Sequence, residues 1–149
     1  MRIAAFTGSF DPYTIGHDDI VRRALPLFDR IVIGVGYNEH KQYMLPVEER
    51  CCQIRSYYKD EPKVQVEAYR DLTVDFCRRI DAQFIIKGVR TLKDFEYEQE
   101  MADINRQLSG VETILFLAAP ELSHISSSMV RELAHFGKDI TEFLPNNKE

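Results

Sequence analysis

Tryptophan is absent, and cysteine is scarce. The three cysteines, Cys51, Cys52 and Cys77, include two neighbours and no CxxC pair. That pattern argues against a disulfide framework and against a zinc site, so no protein-held metal is expected. Half-buried helical thiols are the expectation, since free cysteine is usually packed. No apolar run approaches the ~20 residues that a membrane-spanning helix needs. No basic segment followed by a long apolar stretch opens the chain, so no membrane partner and a cytoplasmic location are expected. Basic charge is also short. Lys and Arg number 19 against 24 Asp and Glu, a net charge of -5. This leaves no footprint for nucleic acid, although local cations could hold a small anion. The chain lacks the GxxxxGK[ST] of P-loop ATPases and the GxSxG of a nucleophile elbow. It also lacks internal repeats, low-complexity segments and linkers. With 149 residues, one domain over 1–149 is expected.

What is present is alternation. Short apolar runs at Arg2–Gly8, Arg30–Gly36, Lys63–Tyr69, Gln83–Gly88 and Glu112–Ala118 read as strands. Between them lie helical patterns: from His17 onward, with Pro26 ending the last turn; Pro46–Lys59; Leu72–Ile80; Asp94–Leu108; and Ser126–Phe136. A further turn is expected in "DITEFL". In Asp94–Leu108, Tyr97, Met101, Ile104 and Leu108 share one stripe, while Glu98, Ala102 and Asn105 share another. Strands alternating with helices predict an α/β, doubly wound, Rossmann-like fold: a five-stranded parallel sheet with helices on both faces. In such sheets ligands sit beyond the carboxyl ends of the strands, so the strand-to-helix junctions are where chemistry should be sought.

The first junction, "TGSFDPYTIGH", packs turn residues and an imidazole between a strand and a helix start. Gly8 permits close backbone approach. Ser9 adds a hydroxyl. His17, near the positive end of a helix dipole, should stay neutral and can donate one hydrogen bond to a phosphate oxygen. The blander reading is that Ser9 and His17 only cap the helix. The fourth junction, "KGVRTLKDFEYE", places Lys87 and Arg90 on either side of Gly88 just after an apolar strand, which suggests a polyanion. The fifth, "PELSHISSSMVRE", puts Ser126, Ser127 and Ser128 at a helix start. One cap accounts for one serine, and the rest could form a phosphate-binding nest. Arg131 follows one turn later as a candidate for a β- or γ-phosphate. At the second junction Lys41 is either a solvated lysine or a point charge on phosphate. At the third, Asp71 or Thr73 could simply cap a helix.

Taken together, "GSFDPYTIGH", "IKGVRTLKDFEYEQEMADINRQL" and "ISSSMVRE" resemble the bacterial phosphopantetheine adenylyltransferases of the nucleotidyltransferase superfamily. The resemblance covers almost the whole chain, in order and spacing. It implies catalytic roles for His17 and Lys41. It implies nucleotide contacts from Ser9, Phe10, His17, Gly88, Val89, Arg90, Glu98, Leu122, Ser123, His124, Ile125, Ser126, Ser127 and Ser128. It implies substrate contacts from Ser9, Lys41, Thr73, Lys87 and Asn105. The family usually has arginine where Lys87 stands, and lysine cannot make arginine's bidentate fork. Relatives often carry an aromatic residue at the position of Leu122 and a larger apolar one at Thr73. The resemblance also implies ATP, 4'-phosphopantetheine and dephospho-coenzyme A as ligands, coenzyme A as a feedback inhibitor, and a homohexamer.

Many phosphate ligands without an obvious general base suit one reaction type. A phosphate nucleophile has a second pKa of ~6 and is already anionic near neutrality. It requires alignment with an α-phosphorus and donors for developing charge. Mg2+ held mainly by the ATP phosphates would fit, because that ion keeps most of its waters. The competing readings are a nucleotidyltransferase with nicotinate mononucleotide or a cytidylyl acceptor, and a non-catalytic nucleotide-sensing module. A class I aminoacyl-tRNA synthetase fragment shares the x-x-G-H chemistry, but this chain is short and acidic.

Overall fold

The computed structural model describes residues 1–146; the end of the expected 1–149 domain, 147–149, lies outside the described residues. Five strands, β1 (Ile3–Gly8), β2 (Arg30–Gly36), β3 (Val64–Tyr69), β4 (Phe84–Val89) and β5 (Glu112–Leu117), form one sheet in the order β3-β2-β1-β4-β5. Every pairing is parallel, with Ala5 opposite Val32 on one side and Ile85 on the other. The helices α1 (Ile15–Ala24), α2 (Val47–Tyr57), α3 (Thr73–Arg79), α4 (Leu92–Ser109) and α5 (Ser127–His135) follow the strands in turn. The doubly wound α/β expectation is met.

Alternation along the strands divides the core in two. Ala4, Phe6, Ile31, Ile33 and Ile86 pack with Ile20, Val21 and Ala24 of α1 and with Cys51 and Ile54 of α2. Ile3, Ala5, Val32 and Ile85 pack on the other face with Val74, Phe76 and Cys77 of α3. The chain runs outward from β1 to β3, then returns to the other side of β1 with β4. The order therefore reverses between β1 and β4, the place where such sheets open a crevice.

Several element ends differ from the pattern in the sequence. The helix expected from His17 starts at Ile15, capped by Thr14; it ends at Ala24, and Pro26 sits in a 3-10 turn over Leu25–Leu27. Pro46 is the cap of α2, outside its first turn. Neither Asp71 nor Thr73 caps α3: its N-cap is Leu72, which makes no side-chain cap bond. "DITEFL" forms a 3-10 turn at Thr141–Phe143. The cysteines are all free and helical, but not uniformly half-buried: Cys51 and Cys77 are buried and Cys52 is exposed.

The structure decides which stripe of helix α4 faces the protein. Asp94, Glu98, Ala102 and Asn105 are the partly covered positions, whereas Tyr97 is 63% and Leu108 58% exposed, with Met101 and Ile104 alongside. The helix presents its polar stripe toward the sheet end and its apolar stripe outward. Its ends are conventional: the Thr91 hydroxyl accepts from the Asp94 N–H, and Gly110 closes it at φ 76°, the left-handed backbone that glycine adopts at no steric cost.

Candidate active site

At the reversal point a cavity of about 320 Å3 opens beyond the carboxyl ends of β1 and β4. A larger recess of about 720 Å3, edged by Met1, Arg30, Asp81 and Gly110, lies at the amino ends of the strands. That is the end where parallel sheets do not bind ligands, and its residues include none of the candidate phosphate donors.

The β1–α1 loop builds the floor of the cavity. Phe10 adopts φ 49°, an uncommon conformation for a bulky residue. Its ring is 3% exposed and lies where a side chain on Gly8 would stand, 3.1 Å from the position of that missing Cβ. A Cβ on Gly8 would therefore crowd this buried ring. The Asp11–Pro12 bond is cis.

Thr14 then sets the geometry of His17. The Thr14 side chain accepts from the His17 N–H at 3.4 Å, and the Thr14 N–H donates to His17 Nδ1 at 2.9 Å. This is a capping box in which an imidazole replaces the usual Glu or Gln three residues after the cap. A backbone N–H can only donate, so Nδ1 carries the lone pair and the ring proton sits on Nε2. The half-buried ring packs edge-on against Phe10 and Phe6 and at a tilt against Tyr13. Burial, then the charges of Arg90 and Lys87, push its pKa from 6.5 down to about 3. The expected neutrality is present. Its leading cause is desolvation, with the helix end contributing the capping geometry.

Three further strand ends and helix starts converge on the same space. Lys87 Nζ donates to the Thr7 carbonyl at 3.1 Å and lies 3.7 Å from Glu98, which ties β4 to β1 and α4. Arg90 pairs with Asp94 at 3.3 Å in the first turn of α4. The three serines do three different things. Ser126 caps α5 by accepting from the Met129 N–H at 3.1 Å. Ser127 donates to the Pro12 carbonyl at 2.7 Å. Ser128 accepts from Arg131 at 3.1 Å. Arg131 also donates to the Asp11 carbonyl at 2.8 Å, which joins α5 to the first loop.

The lining therefore gathers Ser9, Phe10, His17, Lys87, Gly88, Arg90, Glu98, Leu122, Ile125, Ser126, Ser127 and Ser128 from the sequence-predicted set, and Arg131 beside them. Other predicted residues stand elsewhere. Val89 is buried in the strand. The Ser123 hydroxyl donates to the Pro120 carbonyl, and His124 stands outside the lining. Thr73 is hydrogen-bonded to the Tyr69 hydroxyl at 3.1 Å, and Asn105 lies farther along α4. Lys41 is exposed in the β2–α2 loop, its N–H bonded to the Asn38 carbonyl, and does not border the cavity. An ammonium on an exposed loop is best solvated in water. Thr14, Thr7, Ile20 and Ala118 border the cavity without having been singled out. For Thr14 the signal was available, since T-x-x-H has the spacing of a capping box.

Chemically, the wall offers the cations Lys87, Arg90 and Arg131, a neutral imidazole donor and several hydroxyls against a single carboxylate, Glu98, already beside Lys87. Such a surface is complementary to a polyanion. Among the described residues no three His, Cys, Asp or Glu side chains cluster as a metal cage.

The cytidylyltransferase-like family model matches residues 5–133. A Bacteroides fragilis protein named phosphopantetheine adenylyltransferase is 54% identical over 149 residues, covering 100% of this chain and 99% of that one. One of the same name from Phocaeicola vulgatus is 55% identical over 145 residues, 97% and 96% of the two chains. Among solved structures, a bifunctional NMN adenylyltransferase/ADP ribose pyrophosphatase from Francisella tularensis superposes with a TM-score of 0.77 at 16% identity, over 99% of this chain and 46% of that one. At that identity the likeness concerns the fold alone.

Proposed function

The chain belongs to the cytidylyltransferase-like family and, within it, to the phosphopantetheine adenylyltransferases, and from that premise we propose how its cavity performs the transfer. ATP and 4'-phosphopantetheine enter; dephospho-coenzyme A and pyrophosphate leave. An oxygen of the acceptor phosphate attacks the α-phosphorus. The new P–O bond forms as the bond to the β-phosphate oxygen breaks, and its electron pair departs with pyrophosphate. With the acceptor phosphate already anionic, no proton has to be removed, so no general base and no covalent intermediate are required.

The single observation that carries this reading is the state of His17: neutral, locked by Thr14 with its proton on Nε2, and standing among Lys87, Arg90 and Arg131. A neutral Nε2–H can donate to a non-bridging α-phosphate oxygen as charge builds there. Arg90 and Arg131 fit the triphosphate, and the α5 start with Ser128 adds donors. Lys87 beside Glu98 fits the acceptor phosphate. Lys41, outside the cavity, would act after its loop folds inward over bound phosphates, bringing a point charge to the transfer. The α4 side past Glu98, with Asn105, and the α3 start at Thr73 suit the pantetheine arm.

The donor set also suits Mg2+ carried on the nucleotide. The one lining carboxylate is beside Lys87 and Asp11 is occupied by backbone N–H groups, so the ion would be held mainly by phosphate oxygens, where it would neutralise charge on the leaving pyrophosphate. The exposed stripe of Tyr97, Met101, Ile104 and Leu108 supports self-association through α4, in line with the hexamer that the sequence resemblance implies. Coenzyme A carries both halves of the product and is suited to the same cavity as a feedback inhibitor. No helix among the described residues is long and apolar enough to cross a membrane, which is compatible with a cytoplasmic single-domain enzyme.

The decisive assay incubates the protein with ATP, Mg2+ and one acceptor at a time and follows pyrophosphate. Release is expected with 4'-phosphopantetheine. Turnover with nicotinate mononucleotide and none with phosphopantetheine would overturn the reading.

A further inference from the structure

Arg50, in the first turn of α2, is 1% exposed. A buried charge is normally paired with its opposite, yet among the described residues no carboxylate lies within salt-bridge distance of it. Its guanidinium instead donates to backbone carbonyls from three segments. Nη1 reaches Ser9 O at 2.6 Å in the β1–α1 loop and Gly36 O at 3.2 Å at the end of β2; Nε reaches Leu45 O at 3.0 Å in the β2–α2 loop. The Tyr43 ring covers it at 4.1 Å. A costly buried cation with this set of acceptors calls for an explanation beyond packing, because an apolar side chain of similar volume avoids the desolvation penalty.

The shortest of these bonds suggests one. Carbonyl and N–H of a trans peptide point in opposite directions. By holding Ser9 O, Arg50 turns the Ser9–Phe10 peptide so that the Phe10 N–H faces away from the guanidinium. Phe10 borders the cavity, and no acceptor among the described residues takes its N–H. The left-handed φ of 49° at Phe10 belongs to the same arrangement: uncommon backbone of this kind persists where the surroundings over-determine it and concentrates at functional sites. Here the determinants are the ring, wedged under Gly8 and His17, and the Arg50 bond.

We propose that Arg50 is a positioning residue that aims the Phe10 N–H into the phosphate cavity as a second fixed donor beside His17 Nε2. Through Leu45 it also docks the loop that carries Lys41. Asp11 reinforces that docking, accepting from the Met44 and Leu45 N–H groups at 2.8 and 3.1 Å. The first loop and the second are thus fastened to each other by one buried cation and one buried anion that do not touch substrate. The kinetic part of this inference rests on the adenylyl-transfer reading; the anion-donor part does not.

The test uses 15N-labelled full-length protein, with inorganic pyrophosphate and a non-hydrolysable ATP analogue as probes. In the wild type the Phe10 amide resonance should shift on addition of either probe. Arg50→Lys keeps the charge but cannot span three acceptors. It should stay folded, lose the Phe10 response, and lower kcat by about 10–100-fold, the size expected for a misplaced donor, while the KM for ATP changes far less. Arg50→Met should melt lower and show the same kinetic loss. A merely structural arginine would lower the melting temperature without abolishing the Phe10 response in a folded Arg50→Lys. A Phe10 amide that ignores both probes in the wild type overturns the proposal, as does an Arg50→Lys protein with full kcat and an unchanged response. If the wild type shows the Phe10 shift but transfers nothing to phosphopantetheine, the reaction assignment fails and the positioning role stands.

Discussion

His17→Ala removes two things at once, and the structure separates them. The first is the Nε2–H donor at the reacting phosphate. Losing one donor of this kind costs about 10²–10³ in kcat, or roughly 2.7–4 kcal/mol of transition-state stabilisation. The second is the acceptor for the Thr14 N–H, which is left in a residue only 1% exposed. An orphaned buried N–H costs about 1–3 kcal/mol of stability, and for a chain of this size each kcal/mol lowers the melting temperature by about 2–4 °C. His17→Ala should therefore be both slow and less stable. His17→Gln should divide the effects. Glutamine is a standard capping-box residue at this position, so its carbonyl oxygen can take the Thr14 N–H and restore most of the melting temperature. Its amide NH2, on the same carbon as that oxygen, can donate to phosphate and recover part of the rate. Asparagine is one methylene shorter and should recover less of both. The assays are calorimetric melting and pyrophosphate release at saturating ATP. Full kcat in His17→Ala, an adenylyl-histidine intermediate, or a glutamine variant no more stable than the alanine one would refute the reasoning.

The remaining expectations follow from the same geometry. With the His17 pKa held at about 3 against an ordinary 6.5, the unfolded chain binds more protons than the folded one between those values. Stability should fall as pH drops through that window, by a slope approaching about 1.4 kcal/mol per pH unit, and His17→Gln should flatten it in chemical denaturation. Any acid limb in kcat/KM near pH ~6 should belong to the acceptor phosphate and survive in His17→Gln; a limb that vanishes with the imidazole contradicts the neutral-donor role. Lys41→Ala should lower kcat while leaving calorimetric affinity for the non-hydrolysable ATP analogue unchanged, since Lys41 does not border the cavity and the proposed role has it reach the phosphates only at transfer; unaltered turnover would remove it from the reaction. Ile104→Glu, which places a charge in the exposed α4 stripe, should lower the mass seen by light scattering toward the 17.4 kDa monomer, and an unchanged mass would show that α4 is not the contact.

Much of this protein was determined by residues close together in the chain. Apolar runs with strand spacing, separated by helical periods, dictate parallel β-α alternation, because those periodicities place side chains on faces that only layered packing can bury. Local turn chemistry likewise identified the junctions: Gly8, Asp11–Pro12 and the serines before α5 are legible because each solves a backbone problem within a few residues. What only the tertiary structure decided are relations between distant segments. Arg50 reads as one more charged helix residue until its bonds to Ser9, Gly36 and Leu45 show it holding two loops together. Ser126, Ser127 and Ser128 look equivalent in sequence, and they part company only when Pro12 and Arg131 arrive beside them. The stripes of α4 have the same period whichever way the helix turns, so periodicity could not say that Glu98 would face Lys87 and Tyr97 the solvent. Side-chain spacing encodes which residues share a face; which face meets which neighbour depends on the summed packing of the whole chain, and no short window contains that sum.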